Sequence, residues 1–127
     1  MMADFSRVLV VGRSRINLVV VSKIVERSGM RPISETPEMA SKTLKTLVPC
    51  AVVLDGGADN RDCDALLSDL EAMRRASGNK PSVILLSTKT GADGDMEVSS
   101  VIDAVVAKPI TPELLQPVLS RLAGQHR

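Results

Sequence analysis

The chain has 127 residues, 44% apolar and 24% charged, which is enough for one globular domain with a buried core and too little for a second. Its formal net charge is +1 at pH 7 with Lys, Arg, Asp and Glu evenly mixed, leaving no electrostatic footprint for nucleic acid or an anionic membrane surface. Cys50 and Cys63 form no CxxC pair and have no accompanying histidines, and Phe5 is the sole aromatic residue, which argues against zinc, redox-dithiol and flavin- or base-stacking sites.

Two reduced thiols in a cytoplasmic protein are the expectation. No apolar run approaches a membrane span, and residues 1–7 lack the h-region of a signal peptide.

In chain order, residues 8–11, 30–34, 51–54, 82–86 and 104–107 are short runs of strand character, most of them β-branched and apolar on successive residues rather than alternating. That pattern marks strands buried on both faces, and their alternation with helical periods predicts repeated βα units around a parallel sheet. The segment 14–29 reads as the first helix. Ser14 is its cap, Ile16, Val19, Val20 and Ile24 its apolar spacing and Gly29 its end, although 18–21 alone resembles a strand.

The second helix opens at Thr36-Pro37-Glu38 with a cap, a proline in the first turn and an acid at the positive dipole end. Its expected inner face is Ala40, Leu44, Leu47 and Val48, with Pro49 as the stop. Asp64 is placed to cap a third helix with an inner stripe of Leu66, Leu67, Leu70 and Met73, closed by Arg74, Arg75 and Gly78. Residues 88–100 are rich in Gly, Ser, Thr and Asp, so a fourth helix there is expected to be short and mobile. The last helix repeats the opening as Thr111-Pro112-Glu113 and presents Leu115, Val118, Leu119 and Leu122; Pro117 is expected to kink it. No internal repeat or low-complexity tract interrupts the pattern.

Ligands of an open parallel sheet sit beyond the carboxyl ends of its strands. The residues following the apolar runs are Gly12 and Arg13, Asp55 and Gly56, Ser87 and Thr88, and Lys108 and Pro109. A carboxylate, a hydroxyl and an ammonium on one edge suit phosphoryl transfer, supplying a nucleophile, a donor and a cation for the equatorial oxygens. Each also has a plain alternative, since an Asp before Gly-Gly is often a turn former, a Ser often only ends a strand and Lys-Pro is often only a loop. A third option reads Gly12-Arg13-Ser14-Arg15 as an anion cradle at a helix N-terminus, as in a flavodoxin-like or nucleotide-binding enzyme; no base, metal set or stacking ring accompanies it.

Val52-Val53-Leu54-Asp55, Ile84-Leu85-Leu86-Ser87 and Val106-Ala107-Lys108-Pro109, in that order, resemble the receiver domain of bacterial response regulators. The resemblance runs from about residue 7 to 122 and implies a single α/β domain over 1–127. Its fold would be a flavodoxin-like (βα)₅ unit with a five-stranded parallel sheet of order 2-1-3-4-5 and helices on both faces. It further implies a signalling rather than an enzymatic role in a two-component phosphorelay. Asp55 would be the phosphoacceptor, Ser87 the phosphate-sensing hydroxyl and Lys108 the salt-bridge partner of the acyl phosphate, with Thr88, Gly56 and Gly57 contacting phosphate or switching and the bond before Pro109 cis. A histidine kinase or phosphotransfer protein would supply the phosphoryl group, and a separate effector would receive the signal unless the chain is a piece of a longer one. No nucleic acid or membrane partner is expected, and a homodimer stays open, the last helix being the contact face.

The family pattern breaks after the first strand. Receivers carry two acidic residues there for Mg²⁺, and this chain has Gly12 and Arg13. Mg²⁺ is held through carboxylates, so no cofactor is expected. Arg13, Asp55 and Lys108 sum to a charge of +1, and Arg13 is expected either to fold over Asp55 in the metal's place and meet a phosphoryl group, or to point into solvent. Asp59, Asp62 and Asp64 are expected to solvate the loop and cap the third helix rather than lend a carboxylate. Val105 stands where receivers have an aromatic switch residue, and Gly56-Gly57-Ala58 replaces the Met-Pro loop. These losses favour the alternative function, a pseudo-receiver that binds partners without phosphorylation.

Overall fold

A computed structural model describes residues 3–55, 64–77, 81–87, 102–108 and 110–123. Five strands, β1 (Ala3–Val11), β2 (Arg31–Glu35), β3 (Val48–Asp55), β4 (Ser82–Ser87) and β5 (Ala104–Ala107), form one parallel sheet in the order β2-β1-β3-β4-β5. The helices among the described residues are α1 (Arg15–Arg27), α2 (Pro37–Thr43), α3 (Asp64–Ser77) and α4 (Pro112–Ala123). The expected parallel sheet of order 2-1-3-4-5 is therefore present. Residues 88–100, read as a short fourth helix, lie outside the described residues.

Why β1, β3 and β4 are apolar on consecutive residues is visible in the packing. Val8, Val10, Ala51, Val53, Ile84 and Leu86 face α1 and α4, in one cluster with Val21, Ile24, Val25, Leu115, Leu119 and Leu122. Leu9, Val11, Val52, Leu54, Val83 and Leu85 face the other way, onto Ala40, Leu44, Leu66 and Leu70. Side chains alternate across a strand, so a strand covered on both faces needs apolar residues at both parities. Each fully buried Leu, Ile or Val here stabilises the fold by about 1.5–3 kcal/mol relative to exposure.

Several element boundaries and one helix face differ from the sequence reading. Ser14 does cap α1, accepting from the Asn17 backbone N–H at 3.3 Å, and Gly29 closes its end at φ +84°, a left-handed conformation that glycine adopts without a Cβ clash. But α1 buries Val21, Ile24 and Val25, and of the expected stripe only Ile24 goes inside: Ile16 is 76% exposed, and Val19 and Val20 are exposed as well. The helix carries apolar residues on two adjacent stripes, and only the sheet beneath it selects between them.

The second helix ends at Thr43, well before Pro49, and the chain turns through 44–46. Val48 and Pro49 belong to β3, opposite Ala3 and Asp4, beside a register irregularity between Asp4 and Val8. A proline is tolerated at such a break near a strand's start. α3 begins at Asp64 itself and buries Leu66 and Leu70, as expected. α4 continues through Pro117 and buries Leu115, Leu119 and Leu122.

At the sheet's amino edge, Asp103 Oδ2 accepts from the Val83 backbone N–H and from Arg74 Nη1, both at 2.8 Å, and Oδ1 accepts from Arg74 Nη2 at 3.0 Å. That carboxylate ties the end of α3 to the starts of β4 and β5. Arg74, read from sequence only as a favourable charge at a helix end, is thus a structural clamp. Cys50 is buried in the core. No helix among the described residues is long and apolar enough to cross a membrane.

Candidate functional site

Four strands end at the same edge with chemistry-bearing residues. Asp55 is the last residue of β3 and Ser87 the last of β4, while Lys108 follows β5 and Gly12 follows β1. Parallel pairing sets the register, with Asp55 opposite Leu86 and Ser87 opposite Ala107. The Lys108 backbone N–H donates to the Ser87 carbonyl at 2.9 Å, extending the β4–β5 ladder by one bond and holding the base of the lysine.

From there the Lys108 side chain crosses to Asp55, its Nζ donating to Oδ1 at 2.5 Å. Asp55 is 2% exposed and the Lys108 side chain 17%, so the pair is largely shielded from water. Taking a carboxylate out of water carries a large desolvation penalty, and it persists in a folded protein because it is paired and hydrogen-bonded. Ser87 is fully buried beside it.

The second oxygen of Asp55 has a partner that sequence reasoning did not single out. Asn17 Nδ2 donates to Oδ2 at 2.8 Å. Asn17 lies in the first turn of α1, three residues after the Ser14 cap, and a helix that follows β1 begins at the sheet's carboxyl edge. The available signal was a polar amide in a first turn whose other side chains are apolar or outward-facing, but choosing its partner required the crossover geometry.

Gly12 is fixed by close approach. A Cβ on it would lie 2.9 Å from the Asp55 Cβ and 3.4 Å from Oδ2, while its N–H donates to the Glu35 carbonyl at 3.1 Å and joins the ends of β1 and β2. The backbone passes too near Asp55 for any side chain at position 12 to be accommodated without a shift.

Arg13, expected over Asp55 or in solvent, is half-exposed and laid on α2. Its Nη1 and Nη2 donate to Glu38 Oε1 and Oε2 at 2.9 and 3.0 Å, a two-bond fork on a carboxylate in the first turn of that helix. The hydrogen bond from Arg13 holds the Glu38 carboxyl below the ordinary glutamate value, against a smaller opposing effect of desolvation. The signal for this pair was the Thr36-Pro37-Glu38 helix start, which places an acid at the same edge.

Thr88, Gly56, Gly57 and Pro109, the remaining residues expected to contact phosphate or to switch, lie outside the described residues, as do Asp59, Asp62 and Cys63. Val105, at the position of the expected aromatic switch, is on the edge strand β5 and partly exposed. Among the described residues, no group of three or more His, Cys, Asp or Glu gathers in a geometry that would hold a metal.

No family model matches the sequence, and no curated protein matches it. Solved structures do match by fold. The chemotaxis response regulator CheY4 of Vibrio cholerae superposes with a TM-score of 0.73 at 20% identity, covering 96% of this chain and 99% of that one. The receiver domain of the sensor histidine kinase PA1611 from Pseudomonas aeruginosa PAO1, solved with magnesium in its active-site cleft, gives 0.73 at 20% identity over 94% of this chain and 98% of that one. The pseudo-receiver domain of the CikA protein gives 0.67 at 21% identity over 92% and 96%. The chain has the fold of response-regulator receiver domains, over nearly its whole length.

Proposed function

We propose that this chain is a receiver module of two-component signal transduction, with Asp55 as phosphoacceptor for a histidine kinase or phosphotransfer protein. The observation that carries this reading is the shielded contact of Lys108 Nζ with Asp55 Oδ1 at the carboxyl edge of a receiver fold, next to Ser87. In the reaction, a carboxylate oxygen of Asp55 attacks the phosphorus of a phosphohistidine. The O–P bond forms as the N–P bond breaks, and the electron pair leaves on the imidazole nitrogen, which then takes up a proton. Lys108 offsets charge on the phosphoryl oxygens, and Ser87 supplies a hydroxyl at the neighbouring strand end. The altered edge is read by a separate effector.

The donor set does not suit Mg²⁺. Hard divalent cations are held by several oxygens, usually carboxylates, but Asp55 carries an ammonium on one oxygen and an amide N–H on the other, and Glu38 at the same edge is taken up by Arg13. Gly12 leaves no room for an acid beside it. These same facts favour a second reading, a pseudo-receiver whose faces bind a partner without phosphorylation.

Exposure to acetyl phosphate with and without Mg²⁺, read by intact mass, separates the two. A gain of one phosphoryl group that disappears in Asp55→Asn supports the phosphoacceptor role. No gain under either condition, in a protein whose kinase-independent fold is intact, supports the pseudo-receiver.

A further inference from the structure

We propose that Asn17 is the positioning residue of this site. Its amide holds Asp55 Oδ2, so that the carboxylate is fixed at both oxygens by protein donors, and the identity of residue 17 decides whether the site takes a divalent cation. The proposal rests on reading the Asp55 edge as the reaction centre, but its test involves no phosphorylation, so the two can fail separately.

The amide is delivered from a rigid base. Val21, Ile24 and Val25 bury α1 against the sheet, Ser14 caps its first turn, and the Asn17 backbone N–H is itself part of that cap. The Nδ2 to Oδ2 distance of 2.8 Å is that of a hydrogen bond to an ionised oxygen. Reversing the amide would set its carbonyl oxygen against the carboxylate, acceptor facing acceptor, so Asn17 has one productive orientation. With Lys108 on Oδ1, the charges of these three side chains sum to zero, and a cation would have to displace an N–H donor while approaching an ammonium. Helix α1 is thereby tied to the state of Asp55 through one hydrogen bond.

Changing that one side chain reverses the chemistry. Asn17→Asp is nearly isosteric, keeps a side chain suited to the first turn of a helix, and would set a second carboxylate beside Asp55 Oδ2 where the amide now sits. Two carboxylates that close either share a proton or bind a cation between them.

The test uses the full chain in three forms, natural, Asn17→Asp and Asn17→Asp with Asp55→Asn, titrated with MgCl₂ and followed by ¹H–¹⁵N NMR. Asn17→Asp is expected to show saturable shifts at residues 12 and 55 with affinity at least roughly tenfold above the natural chain. Adding Asp55→Asn should abolish them. In the natural chain, the Asn17 side-chain NH₂ pair should be displaced and exchange-protected relative to a solvated amide. Natural protein that binds Mg²⁺ as tightly as Asn17→Asp would overturn the proposal, as would an Asn17 NH₂ pair indistinguishable from a solvated one. The second measurement needs no variant and decides the matter if Asn17→Asp fails to fold.

Discussion

Replacing Lys108 by Met removes the ammonium from Asp55 Oδ1 while keeping most of the side chain's length and apolar stem. Asp55 stays 2% exposed and retains the Asn17 amide on Oδ2, so the variant leaves a buried carboxylate with its cation gone. Removing one partner of a buried pair costs about 3–5 kcal/mol, and the low exposure of both groups means little screening reduces it. Because Asn17 still donates, the lower end of that range, about 3 kcal/mol, is the expectation at neutral pH. Urea unfolding followed by far-UV circular dichroism at neutral pH, comparing Lys108→Met with the natural chain, reads the loss. A deficit under about 1 kcal/mol would refute the claim that this pair is shielded and holds the site together.

Three further outcomes test the packing and the edge. Leu119→Ala on the inner face of α4 should destabilise by about 2–5 kcal/mol and Leu114→Ala on its outer face by no more than about 0.5 kcal/mol; equal losses in urea melts would mean that the helix is rotated. Gly12→Ala brings a Cβ to 2.9 Å from that of Asp55 and should cost about 1–3 kcal/mol, with the Asp55 amide resonance displaced. The Glu38 carboxyl should titrate below the ordinary glutamate value and move back toward it in Arg13→Ala, read by ¹³C NMR. Since its folded value is depressed, any stabilisation from this exposed pair is present above the unfolded value and fades as pH falls through the folded one. A Glu38 titration unchanged by Arg13→Ala would show that the fork is not populated in solution.

The consecutive apolar residues at 8–11, 51–54 and 83–86, with the helix starts at Ser14 and Thr36-Pro37, already determined a parallel sheet covered on both faces, because double-sided burial demands apolar side chains at both parities of a strand. For the same reason the strand-end positions of Asp55, Ser87 and Lys108 were legible: a residue that ends an apolar run ends the strand, and parallel strands present those ends along one edge. What only tertiary structure decided were choices between local patterns of equal merit. Ile16, Val19 and Val20 form as good a helical stripe as Leu18, Val21 and Val25, and the difference is made by the Val8, Val10 and Val53 surface beneath. Arg13 could be read from sequence as reaching Asp55 or solvent, and the first turn of α2 brought Glu38 to its guanidinium. Asn17 meets Asp55 across 38 positions of chain, a distance that no periodicity spans and that the β1-α1 crossover closes.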